Sequence, residues 1–419
     1  AFLYCDDDKE DLQEWRYAVF NPTYASYEEI RETIQLTNAH EIKNVGKIYP
    51  HKNYLLINEK NRGIHVLDNS DPSHPQNIGF INIPKNNNFI IKDDILYADS
   101  YVNIIGIDIS DINNISIAKY LLNPVNNENV YYFSYDHIDA KNVYDLPISN
   151  YIYNPIDITK GIVIGWEFVG YTTEHVDQNI TRSKKHTRAP SPILGFFDTE
   201  LFLNKFTIVG NTLFIYQGQT LFTYNTELNE APESFNYNSV DFYVEKLIPL
   251  NDRLILIEEK HMYIYSISQI HTLTKVSRIK NITSCDSVIG QGDYIYVTRR
   301  AGTECSGDNN KLNIYNISDI NNPNGVKSYE MVEPYNLAIN DDRLFISEGT
   351  EGLKVYDASD PLNLDLLFHD ESVQAYDVII TEESAVVLGA DGIYQYDYSD
   401  INNLKLLSKT ETVPNEKNK

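Results

Sequence analysis

Positive charge is in short supply in this sequence. Lys and Arg number 34 against 60 Asp and Glu in 419 residues, a formal net charge of −26. A nucleic-acid partner needs a clustered cationic surface, so that class is set aside. No apolar run approaches the roughly 20 residues that cross a bilayer as a helix, so membrane attachment is expected to be covalent or peripheral. Three cysteines, Cys5, Cys285 and Cys305, are too few for a disulfide scaffold, and no C-x-x-C spacing offers a thiolate metal site. G-x-S-x-G, H-E-x-x-H, P-loop and G-x-G-x-x-G patterns are all missing, so no catalytic residue is assigned.

Hydrophobic residues are plentiful at 42%, with 32 Tyr and 16 Phe, enough to build a packed core. Their arrangement is repetitive. A turn phrase occurs as VLDNSDPSHP at Asp68, GIDISDINNI at Asp108, IYNISDINNP at Asn316, VYDASDPLNL at Asp357 and QYDYSDINNL at Asp397, with weaker copies at Asn225 and Ser266. The period is about 40 residues, with one insertion of about ten between the copies at Ser266 and Asn316 and one gap between Asp108 and Asn225. Asp, Asn and Ser cap their own backbone two residues on, and Pro presets φ, so the phrase is first a structural device and only second a candidate ligand site.

Each repeat holds four apolar alternating runs, read as four short antiparallel strands. A lone meander of that size leaves one face wet, which makes the repeats blades of a closed propeller. First strands are expected near residues 47, 88, 155, 205, 246, 286, 336 and 376. The fold class is therefore all-β, a propeller of four-stranded blades, eight by this count and seven as the alternative. The unit near 155 is the one that lacks the turn phrase. The propeller is placed at 47–411 with inserts at about 122–150, 172–192 and 299–311, followed by a tail at 412–419. Residues 1–46 are read as a tether and brace containing a short helix, with Ser26 and Glu29 in capping-box spacing and Ile30 and Ile34 on one face.

Cys5, at the end of a short apolar stretch, stands where a lipoprotein carries its acyl chains, and Asp6, Asp7 and Asp8 resemble an acidic surface-export signal. Cys285, at a strand start, and Cys305, in an inserted loop, are expected to form a disulfide that staples the loop. That loop carries Arg299, Arg300 and Glu304 and is the candidate binding element, the alternative being that the arginines pair with acidic neighbours. Trp166 is read as core. His175, Asp177 and His186 match no firm metal spacing, and no metal is assigned.

The stretches at 46–84, 95–111, 284–305 and 352–364 carry a resemblance to the LVIVD-repeat β-propeller proteins, in a branch of secreted lipoproteins from Gram-negative bacteria. It covers about Trp15 to Leu407, departing at PKNNN (84–88), where a PGN turn belongs to the pattern. The resemblance implies a propeller exported to the outer membrane and held at the cell surface by its lipid. Residues and resemblance together lead us to expect a non-catalytic scaffold or accessory subunit for an outer-membrane or surface protein complex. The alternatives are a surface-glycan binder and an exported hydrolase or lyase. No cofactor is expected, with Ca²⁺ the one ion the enzyme reading brings.

Overall fold

Each repeat places a strand on the sequence where unbroken apolar runs alternate with turns, and the reason is burial. Tyr54–Glu59 and Gly63–Asp68 are buried on both faces, so their runs need no polar alternation. The last strand of a repeat, such as Lys405–Glu411, is largely exposed and alternates. The computed structural model describes residues 12–121, 150–177 and 205–413, apart from positions 102, 156, 218–219, 228–235, 241, 269–271 and 303–308.

Two compact units result. The larger comprises Thr33–Asn126 and Leu203–Lys419. Its described residues form seven antiparallel sheets, each a meander in chain order, with Gln35–Thr37 added outside the first as a fifth strand. The first strands of the sheets are Val45–His51, Phe89–Lys92, Lys205–Val209, Lys246–Leu250, Val288–Gln291, Asn336–Asn340 and Ala375–Ile380.

Side chains from each sheet interdigitate with the next, and the sequence of apolar clusters closes on itself. Leu56 and Val66 of blade 1 pack with Phe89 and Leu96 of blade 2. Tyr97 and Ile104 of blade 2 pack with Phe206 and Leu213 of blade 3. Further clusters join blades 3 and 4, 4 and 5, 5 and 6, and 6 and 7. The last joins Val386 and Ile393 of blade 7 to Ile48, Leu55 and Leu67 of blade 1. This closed succession is a seven-bladed β-propeller, in which the first strands are the inner ones.

Closure rests on more than apolar contact. The buried amides of Asn69 and Gln395 exchange hydrogen bonds, at 3.1 and 2.6 Å. Ser408 donates to the Pro72 carbonyl, and Val413 donates its N–H to Ile42 beside a parallel bridge between Lys43 and Val413.

The smaller unit comprises Ala1–Glu32 and Asn127–Phe202. Its long strand Leu12–Ala25 pairs antiparallel with Ile162–Asp177 and parallel with Asn150–Tyr153. Ala18, Phe20, Val163 and Trp166 form its core, so Trp166 is buried as expected. The helix Tyr27–Thr33 starts at the anticipated capping box, Glu29 N–H donating to Ser26 Oγ and Ser26 N–H to the Glu29 carboxylate.

The expected eight blades are corrected to seven. The unit read near 155 has no turn phrase to bring a third and fourth strand back, and its strands take the N-terminal strand as partner instead. That strand, at Leu12–Ala25, was not expected within the N-terminal tether.

Candidate functional site

The start of every inner strand brings one polar side chain to the same level of the ring. The seven are Lys47, Asn88, Lys205, Lys246, Ser287, Asn336 and Asp377, equivalent positions of the repeat. Each reaches forward to the next blade. Lys47 Nζ donates to the Phe89 carbonyl at 2.9 Å and Asn88 Nδ2 to the Phe206 carbonyl at 3.4 Å. Lys205 Nζ donates to Tyr243 Oη and the Val244 carbonyl, both at 2.8 Å, and Lys246 Nζ to the Asp286 carbonyl at 3.1 Å. Ser287 Oγ donates to Asn336 Oδ1, and Asn336 Nδ2 to Asp377 Oδ1. Asp377 interacts electrostatically with Lys47 of blade 1, which completes the circuit.

These groups have displaced titrations because of where they sit. Burial brings the Lys47 ammonium down to about 8, opposed by the charge of Asp377. Lys246 is lowered for the same reason, against the pull of Asp286 and Asp377. Burial raises Asp377 despite the Asn336 hydrogen bond and the two lysines, and raises Asp286 despite the Thr283 N–H and Arg299. Paired shifts of this kind mark a site in which each charge depends on its neighbours.

Arg299 and Arg300 belong to the same end of the ring. Val288 of inner strand 5 pairs with Val297, so the residues just past Val297 stand beside Asp286. Arg299 acts electrostatically on Asp286, and the Arg300 guanidinium lies 4.0 Å from the Tyr335 ring centroid. Tyr335 meets Tyr376 edge to face at 5.0 Å and donates its hydroxyl to Glu333 at 3.0 Å. Aromatic rings also lie under Lys47, at Tyr49 and Phe89, and under Lys205, at Tyr243. Five cations, three carboxylates and several tyrosines thus meet at one mouth of a molecule whose net charge is −26.

Other expectations fall differently. The turn phrases spend their carboxylates on their own backbone: Ser70, Ser110, Ser359 and Ser399 donate their N–H groups to Asp68, Asp108, Asp357 and Asp397 at 2.8–2.9 Å, and Ser318 does so to Asn316. Cys285 stands in the turn before inner strand 5 rather than on it. Cys5, Glu304, Cys305 and His186 lie outside the described residues, as do the side chains of His175 and Asp177 and most of the three inserts.

The inner-strand ring has no signature in the turn phrases, and its members differ in type from blade to blade. Aligning repeats on the start of the first strand rather than on the turn phrase reveals it. Asp99 has no sequence signature either; it is buried, pushed up to about 7 by that burial, and accepts hydrogen bonds from Asn86 Nδ2 and from the N–H groups of Asn87 and Asn88. Asp99 therefore orders the PKNNN turn, which reaches its geometry through Lys85 at φ +63° instead of through Gly.

No known protein family matches the chain by sequence, and no curated protein does. Solved structures are similar in fold. The computationally designed Ika8 protein superposes with a TM-score of 0.50 at 10% identity, over 91% of this chain and 90% of its own. The Pan2 WD40 domain of Neurospora crassa reaches 0.46 at 7% identity, over 90% and 93%. At these identities the likeness concerns the fold alone.

Proposed function

We propose that this chain is a non-catalytic binding propeller whose inner-strand mouth takes an anionic group, the carboxylate or sulfate of an acidic surface glycan. One observation carries the reading. Lys47, Lys205 and Lys246 are brought together by equivalent repeat positions, with tyrosine rings beside the first two, in a chain otherwise strongly acidic. An ammonium has three donors, and the hydrogen bonds above use one each at Lys47 and Lys246, which leaves donors for a ligand oxygen. Tyrosine faces suit the C–H side of a sugar ring.

The cellular setting is part of the same proposal. It rests on Cys5 with its acidic run, which would lipidate the chain at the cell surface, and on the LVIVD-repeat resemblance. A disulfide between Cys285 and Cys305 would rigidify the Arg299–Arg300 loop at the mouth. An outer-membrane protein complex remains the partner class if the glycan reading fails.

Calorimetric titration of the full chain with trigalacturonate tests the reading. Saturable binding that weakens at least about tenfold in Lys246→Met supports it. Absence of binding, or equal binding by the variant, overturns it.

A second reading, an exported lyase or hydrolase on the same polymer class, is favoured by Asp286 and Asp377, whose raised titration suits proton transfer. Incubation with polygalacturonate separates the two. New unsaturated uronate or new reducing ends indicate catalysis, and unchanged polymer leaves binding.

A further inference from the structure

Away from the mouth ring, blade 1 holds a second cluster of chemistry-bearing side chains. His40 comes from the segment leading into the blade, Glu59 from the end of its second strand and His65 from the middle of its third. One ring nitrogen of each histidine and one Glu59 oxygen lie within 4.8 Å of one another. Glu59 Oε2 is 2.8 Å from His65 Nε2 and 3.9 Å from His40 Nδ1. Arg62 occupies the other oxygen, Oε1, so the carboxylate turns Oε2 toward the histidines.

Glu59 and His65 are fully enclosed, at 1% and 0% exposure, while the His40 side chain keeps 34%. The two imidazole rings meet at 4.7 Å with Phe80 packed against both. The nitrogens turned away from Glu59, His65 Nδ1 and His40 Nε2, are buried without a hydrogen-bond partner among the described residues. Two histidines and a carboxylate from separate elements are also a donor set of borderline character, suited to zinc rather than to calcium.

We propose that His40, Glu59 and His65 bind one divalent transition-metal ion of the zinc class. Ligand atoms around such an ion, about 2.0–2.2 Å from it, stand a little over 3 Å apart. The 2.8 and 3.9 Å separations bracket that spacing, and all three donor atoms lie within 4.8 Å of one another. His65 gives up the proton it shares with Glu59 from Nε2 and carries it at Nδ1 instead, and His40 gives up the one that Nδ1 directs to the Glu41 carbonyl at 3.0 Å and carries it at Nε2. The fourth position opens on the half-exposed His40 side, for water.

The ion would have a structural consequence. His40 precedes Ile42 and Lys43, the residues that hold Val413 at the end of the last blade. A metal joining His40 to blade 1 fixes that segment and with it the ring closure. Metal binding to the folded state alone raises the melting temperature by mass action.

The test uses the full chain stripped with chelator and titrated with Co²⁺ and with Zn²⁺. We expect one equivalent of Co²⁺, visible d–d bands of four-coordinate strength, displacement by Zn²⁺ and a rise in melting temperature. His40→Ala, on the half-exposed ligand, should fold and bind at least about tenfold more weakly, with Glu59→Gln as the second variant. Absence of saturable Co²⁺ or Zn²⁺ binding overturns the proposal, as does binding that both variants retain unchanged. The readouts concern the ion and the ring closure, so they stand apart from the glycan titration.

Discussion

Lys47 shows how one residue links fold and function. Its ammonium is held between the Phe89 carbonyl, two aromatic rings and Asp377, and burial lowers it to about 8 from an ordinary 10.5. The folded state thus releases this proton at a lower pH than the unfolded chain does. The cost of burying the charge is fully present below about pH 8 and is relieved as pH rises toward 10.5, so this group makes stability increase across that window. The upper bound is about 3 kcal/mol. Denaturant unfolding of wild type and Lys47→Met, compared at several pH values between neutral and about pH 10, checks it. The wild-type chain should gain stability over that range relative to the variant, and parallel profiles would contradict the assignment. Of the site residues, Arg299 and Arg300 were legible in the sequence because two adjacent arginines stand out in an acidic chain. Lys47 and Lys246 were not, because a single lysine at a strand start has no local signature and acquires its meaning from its counterparts in other blades.

At the scale of the element, the turn phrase and the strand entry have separate duties. In copies such as VYDASDPLNL the first Asp holds the backbone two residues on, and the second does the same: Asp360 accepts from the Leu362 N–H at 3.0 Å. Asp357→Ala should therefore lower the melting temperature slightly and leave ligand affinity unchanged. A large loss of affinity would mean the phrase touches ligand after all. Gly352 stands just before the third strand of its blade, Leu353–Asp357, with φ +80°, and a Cβ there would stand 1.9 Å from the Asp370 carbonyl oxygen. Gly352→Ala must move two strands apart, with an expected loss of about 2 kcal/mol or more, measured by urea unfolding. Most elements were readable, since period-2 patterns between recurrent turns fix strands directly. Inner strands expected near 47, 88, 205, 246, 286, 336 and 376 begin at Val45, Phe89, Lys205, Lys246, Val288, Asn336 and Ala375. The strand Leu12–Ala25 was hidden, because its pairing with Ile162–Asp177 spans a long separation and no local turn announces it.

For the whole molecule, the period fixed the architecture but left the number of blades to the one degenerate interval. Residues 150–177 do contain strands, and only their partner shows that they belong to a different sheet. Closure of seven blades depends on contacts between residues more than 300 apart, the buried, reciprocal Asn69–Gln395 pair among them. Gln395 also accepts a hydrogen bond from Ser384. Gln395→Leu strands two buried polar groups and should cost about 1–3 kcal/mol. If that loss is absent, closure is carried by the apolar cluster alone.

The central claim is that Lys47 and its neighbours bind an anion at the ring mouth, and proton uptake on binding tests it most directly. At pH 8 the Lys47 ammonium is about half ionised in the ligand-free chain, and an anion placed beside it raises its affinity for protons. Trigalacturonate titrated calorimetrically near pH 8, in two buffers of different ionisation enthalpy, should show a fraction of a proton taken up per ligand. Affinity should fall as pH rises above 8, and both effects should vanish in Lys47→Met. Binding without proton exchange, and with the same affinity in the variant, would place the ligand elsewhere and contradict the account.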